Sequence, residues 1–258
     1  MANWEEITRE LERLLRLRTF PIAYKRLEKA EELEKVPKVR KLDRFFTFCQ
    51  LPTLVRSGGW TVGVTRAENM NQRCGRIHGL RPHLEEELHK EASMMGRVWY
   101  KNAEDAPKQV FATPRIPAGE AIVLAPLAAG KFDPDVVLIY GTPAQVMMLM
   151  CALQWEDYER LHFSFTGEGA CADALAQCYI SGKPSLGIPC YGERRFGHVA
   201  DDELVLAVPG GMMEKLVEGL RGLYATGIRY PIALAGAELD PLSLLARPYP
   251  ELLQQQKE

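Results

Sequence analysis

The sequence predicts an α/β fold: a single domain on a mixed or mainly parallel sheet flanked by helices, with an N-terminal amphipathic helix. Three observations carry this expectation. Val136-Val-Leu-Ile-Tyr140 is a continuous β-rich run without polar alternation, as expected of a strand buried on both faces. Gly141 breaks that run, and a helix start follows immediately. The same strand-then-helix order recurs over 204–223, and such alternation favours α/β architecture.

The elements follow in chain order. Residues 4–17 place Trp4, Ile7, Leu11, Leu14 and Leu15 on one stripe among Glu and Arg, the pattern of an amphipathic helix. Pro21-Ile-Ala-Tyr24 reads as a short strand. Residues 25–44 are rich in Lys, Arg and Glu and read as a solvated loop or helix face. Trp60 to Val64 is strand-like, Leu84 to Val98 is helical in pattern, and Ala121 to Ala125 is a buried strand. Thr142 suits an N-cap, Pro143 the first helical position, and Gln145 closes a capping box. Leu204 to Val208 is the next strand. Pro209-Gly-Gly turns the chain, and Met212, Leu216, Leu220 and Leu223 then share a helical face. After Pro231 the pattern weakens. The expected division is a helix over 1–19, an α/β domain over 20–230 and a weakly structured tail over 231–258.

Composition bounds function. The chain has 258 residues, 47% hydrophobic and 26% charged, which is a folded rather than a disordered composition. A net charge of -2 argues against a dedicated nucleic-acid binder. No apolar run approaches the roughly 18 residues needed to cross a membrane. Met-Ala-Asn-Trp-Glu-Glu is no secretory signal, so a cytoplasmic location with reduced thiols is expected.

The six cysteines are the informative feature. They form no C-x-x-C pair, and no His pair stands at metal-ligand spacing. Cys74 has Arg73, Arg76 and His78 close in sequence. If these are close in space they favour a thiolate, and Gly75 and Gly79 let backbone approach a ligand. Cys171 follows Gly167 and Gly169 and opens a helical stretch reaching about Tyr179, where a helix N-terminus favours an anion. The glycine spacing is not a dinucleotide fingerprint. Cys178 lies seven residues on, on the same face. Cys190 sits at a strand end in Pro189-Cys-Tyr-Gly-Glu-Arg194. Free cysteine also packs as a small hydrophobe. Cys151, in Met-Leu-Met-Cys-Ala-Leu, is expected in the core, and Cys178 leans that way. For Cys49, Cys74, Cys171 and Cys190 packing and chemistry stand even. His78 is the one histidine carried forward; His162 and His198 are weak candidates, and His83 and His89 read as surface.

An ordered series of stretches carries a resemblance. They are Pro21 to Tyr24, Phe48-Cys49-Gln50, Cys74-Gly75 with Gly79-Leu80, Ala125-Pro-Leu127 and Pro134 to Gln145. Ser164 to Ala172, Ile188 to Arg194, Asp202-Glu203 and Pro209 complete it. Over roughly residues 20–225 the chain resembles the domain of unknown function 169 family, also called ArCR, of archaea and anaerobic bacteria. The resemblance implies no established reaction. It implies that the recurring cysteines are Cys49, Cys74, Cys171 and Cys190. The Arg-Ile-His that follows Cys74-Gly75 departs from the small apolar residues of relatives.

Three functional readings follow. In the first, Cys49, Cys74, Cys171 and Cys190 ligate zinc or an iron–sulfur cluster in a protein of anaerobic metabolism. In the second, the protein is an enzyme with Cys190 or Cys74 as nucleophile or acid/base and Glu193 as helper. Its substrate is then a small anion, a carboxylate or acyl-CoA, held by Arg73 and Arg194 with Gly75 and Gly169 leaving room. Glu168 and Asp173 are further helpers, or simply caps and surface pairs. In the third, it is an accessory module whose charged segment 25–44 docks a partner. Oligomeric state is left open.

Overall fold

The computed structural model describes residues 2–96 and 98–233. Helix α1 (Trp4–Leu15) leads into strand β1 (Ile22–Leu27). A 3-10 turn and the two-residue β2 (Val39–Arg40) follow, so the charged run 25–44 holds short ordered pieces as well as loop. Then come α2 (Gln50–Arg56), β3 (Thr61–Thr65), α3 (Gln72–Ile77), α4 (Glu85–Met95) and α5 (Ala106–Ala112). Strands β4 (Ala121–Pro126) and β5 (Val136–Gly141) precede α6 (Pro143–Leu153). A π-helical segment, Cys171–Ala176, runs directly into α7 (Gln177–Ser181). Strand β6 (Ser185–Gly187), α8 (Tyr191–Gly197), β7 (Leu204–Pro209) and α9 (Met213–Thr226) complete the described chain. Most of the expected tail over 231–258 lies outside the described residues.

The seven strands form one mixed sheet in the order β2-β3-β4-β1-β5-β7-β6. Only β2 and β3 run parallel; the other neighbouring pairs are antiparallel. The mixed alternative therefore holds and the mainly parallel one does not. Strand–helix–strand alternation implies parallel neighbours only when consecutive strands pair in one direction. Here β5 pairs with β7, not with β6, and it does so antiparallel.

Every residue of β4 and β5 is buried, because the sheet is covered on both sides. Val136, Leu138 and Tyr140 face one core with Tyr24, Phe48, Leu51 and Ile77. Val137 and Ile139 face the other with Leu11 of α1, Leu149 of α6 and Leu216 of α9. The period-two alternation of a strand delivers side chains to both layers. The capping box forms as expected: Gln145 Oε1 accepts from the Thr142 N–H at 2.7 Å, and Thr142 Oγ1 accepts from the Gln145 N–H at 3.4 Å. Gln145 also donates through Nε2 to the Leu15 carbonyl at 2.9 Å. One side chain thus caps α6 and ties down the end of α1.

Candidate functional site

On the face of the sheet opposite α1, α6 and α9, Cys178 lies in the core and Cys74 and Cys171 pack against it. Cys49 immediately precedes α2, Cys74 lies in α3, Cys171 opens the π segment, and Cys190 immediately precedes α8. All four thiols lie within electrostatic reach of one another: Cys49 feels Cys190, Cys171 and Cys74, and Cys171 feels Cys74 and Cys190. Gly192 shows how close the approach is. A Cβ there would sit 3.2 Å from the Cys49 sulfur and 3.7 Å from the Cys190 sulfur. A side chain at that position would press on both.

The thiols are not equivalent. The Cys190 thiol is held below its ordinary value, first by the hydrogen bond from Cys49 and then by the N–H groups of Ala170, Glu193 and Gly192. Cys49 moves the opposite way through the same contact and through burial, so the pair holds one proton between them, on Cys49. Burial pushes the Cys74 thiol up, partly offset by the Phe48 N–H and the Arg73 charge. Burial and neighbouring negative charge push Cys171 well up. Left to themselves these groups are one thiolate and three thiols. Four thiolates together require a compensating cation.

Glu193 stands beside Cys190. It is buried, and its Oε1 accepts from the Tyr140 hydroxyl at 3.0 Å. Its Oε2 has no hydrogen-bond partner among the described residues. Burial, then the Cys190 charge, pushes its carboxyl up to about 8, so it carries a proton near neutral pH. Behind Tyr140, the Arg56 guanidinium lies 4.5 Å from the ring centroid and pairs with Glu203 at 2.7 and 3.1 Å.

Other expected site residues are placed differently. Arg73 donates through Nε to Glu91 at 2.7 Å and through both terminal nitrogens to Glu168. Arg76 donates to the second oxygen of Glu91 at 2.6 Å. Arg194 donates to the Ala200 carbonyl at 2.7 Å and to Asp201 at 3.4 Å. Both Arg73 and Arg194 are therefore already engaged by protein acceptors. Gly75 packs against Arg81, whose Cγ would lie 2.6 Å from an added Cβ. Its smallness makes room for that contact. Gly169 is buried beside Arg73, where a Cβ would lie 3.7 Å from a guanidinium nitrogen. His78 is fully buried and stacked on Phe48, with ring centroids 3.6 Å apart. Burial pushes it down to about 3, so it is a neutral ring and supplies no charge to Cys74. Cys178 packs in the core, but Cys151 is exposed on α6, against expectation.

Tyr140, Arg56, Glu203 and Glu91 were not singled out from the sequence. Tyr140 ends a buried apolar run and Glu203 lies in a resembling stretch, but neither signal names a partner. Among the described residues no three His, Cys, Asp or Glu side chains are gathered as a single ion would gather them. No helix of the described residues is long and apolar enough to cross a membrane.

Comparison with known proteins agrees with the resemblance. The uncharacterised protein MJ0308 of Methanocaldococcus jannaschii is 31% identical over 123 residues, 47% of this chain and 53% of that protein. The chain thus spans about half the length of this curated relative. No solved structure matches. The profile of the domain of unknown function 169, the uncharacterised ArCR family, matches residues 10–219 and so begins within α1. The chain belongs to that family.

Proposed function

We propose that Cys49, Cys74, Cys171 and Cys190 hold a metal cofactor, an iron–sulfur cluster in preference to a single zinc ion. The observation that carries this reading is that four thiols from four separate elements lie within electrostatic reach of one another, with Cys49 hydrogen-bonded to Cys190. Buried thiols gain nothing from lying together, since each raises the cost of ionising the next. A cofactor that neutralises thiolates reverses that repulsion. The donor set fits: four cysteines are what a cluster takes. The N–H groups aimed at Cys190 and Cys74 are of the kind that tune such sulfurs. Zinc would draw each sulfur to about 2.3 Å from one centre, whereas a cluster accepts a wider set. The cofactor would place the protein in anaerobic metabolism, the setting the resemblance implies.

The test is anaerobic purification followed by reconstitution with ferrous iron and sulfide. The expected result is bound iron and acid-labile sulfide in comparable amounts, visible charge-transfer absorption, and loss of both in Cys74→Ser and Cys171→Ser. Protein that stays folded, colourless and iron-free overturns the reading.

A second reading rests on Cys190 alone. Three N–H groups and the Cys49 thiol stabilise a thiolate there, and Glu193 beside it holds a proton. That is the arrangement of a nucleophile with an acid at hand. In cofactor-free protein, alkylation of Cys190 should have its midpoint well below that of an ordinary cysteine. A midpoint at the ordinary value removes this reading.

A further inference from the structure

A cavity of about 360 Å³ adjoins the sulfur site, a volume within the range of small-ligand pockets. Its wall includes Arg73, Gln109, Ser164, Glu168, Asp173 and Gln177. Three of these are already mutually satisfied. Glu168 answers Arg73 and also accepts from the Gln109 amide at 2.8 Å, and Glu91 takes the remaining Arg73 donor.

Asp173 is different. It is 4% exposed, and its Oδ2 accepts from the N–H groups of Thr166 at 2.9 Å and Gly167 at 3.2 Å. Among the described residues its Oδ1 accepts no hydrogen bond, and no Lys, Arg or His pairs with it. The Gln177 amide and the Ser164 hydroxyl, on the same cavity wall, also have no protein partner among the described residues. Asp173 keeps a little exposure, and this oxygen is not among the sealed polar atoms left without a partner, so solvent or a ligand can reach it. Here it borders a space of ligand size, with neutral hydrogen-bonding groups around it. The π-helical turn sets the location. It exposes Ala172 and Asp173 to the cavity, while Cys171, one residue earlier, belongs to the sulfur site. Such turns recur at functional sites.

The geometry points to a binding site for a small polar cation, an amino alcohol or similar primary amine, whose ammonium pairs with Asp173 and whose other polar group meets Gln177 and Ser164. Anions are disfavoured, because the one guanidinium on the wall is already neutralised. The ligand would lie one side chain, Arg73, from Cys74 and Cys171. The site stands whatever the four sulfurs hold.

The test is saturation-transfer NMR on the full chain with aminobutanol, butanediol and hydroxybutyrate, which share a four-carbon chain and differ in charge. Aminobutanol should bind at least about tenfold tighter than the other two. Asp173→Asn keeps an acceptor but loses the charge, and should erase that preference. Ala112 lines the cavity and is exposed at the end of α5, so Ala112→Trp fills the space without touching the core and should abolish binding. The second variant keeps the test decisive if the first fails to fold. No saturation transfer from aminobutanol to the natural protein, hydroxybutyrate binding equally well, or binding unchanged in Ala112→Trp would each overturn the proposal.

Discussion

The Tyr140 hydroxyl donates to Glu193 Oε1 at 3.0 Å, while Oε2 of the same carboxyl is buried with no partner among the described residues. Burial, then the Cys190 charge, outweighs the Tyr140 donor, so Glu193 binds its proton more tightly in the folded chain than in the unfolded one, up to about 8 against an ordinary 4.5. Its contribution to stability is fully present below the ordinary value and is lost as pH rises through about 8. Urea unfolding of cofactor-free protein should show this when Glu193→Gln is compared with the natural chain. The natural chain should lose stability relative to the variant across that window, by at most about 1.4 kcal/mol per pH unit. Parallel pH profiles for the two proteins would show that Glu193 is not held protonated.

Arg56 and Glu203 form a buried pair, with side chains 4% and 6% exposed. Glu203→Leu strands the Arg56 charge in the interior and should cost about 3–5 kcal/mol. Arg56→Met combined with Glu203→Leu should cost clearly less, because no unpaired charge remains. Urea midpoints across this double-mutant cycle check it. A double variant as damaged as the sum of the singles would mean the two residues do not act as a pair.

Exposure separates Cys151 from Cys178. Cys151 is exposed, and Cys178 is buried with its thiol pushed up to about 12 by burial. Brief iodoacetamide treatment of native protein, mapped by mass spectrometry, should label Cys151 first and leave Cys178 unlabelled until unfolding. Uniformly slow labelling of all six would contradict the exposed placement of Cys151.

Gly192 touches both sulfurs of the Cys49–Cys190 pair without bearing one. Gly192→Val pushes a side chain into a gap where even a Cβ lies 3.2 Å from sulfur. Overpacking of this kind costs typically about 1–3 kcal/mol. Thermal unfolding should register that cost, and reconstituted iron content should fall although every cysteine remains. Full iron retention with unchanged stability would place the sulfurs farther from Gly192 than described.

Cys151 shows where sequence evidence was present but outweighed by composition. Its neighbours are apolar, which suggests a core position. Yet α6 buries Met148, Leu149, Ala152 and Leu153 and exposes Met147 and Cys151. A 3.6-residue period puts those two on the outer face, so phase was the better guide. Arg73 shows the opposite case. It neighbours Cys74 in sequence, but its long side chain reaches Glu91 on α4 and Glu168 in the loop before the π segment. Sequence adjacency cannot say where such a side chain ends. For His78, burial and not the neighbouring Cys74 decides protonation.

The sequence by itself determined what depends on near neighbours. The buried run of β5, the Thr142–Gln145 capping box and the face of α1 that packs inward are each set by residues within a turn or two of one another. It also marked Cys49, Cys74, Cys171 and Cys190 as the set apart from Cys151 and Cys178. Only the tertiary structure decided that β5 pairs antiparallel with β7 and that the Cys49 thiol meets Cys190. The same long-range packing sealed Glu193 beside Cys190 and opened a cavity against Asp173. Strand pairing and burial join segments far apart in the chain. Their free energies come from desolvation and contact across those distances, which no local window of sequence contains.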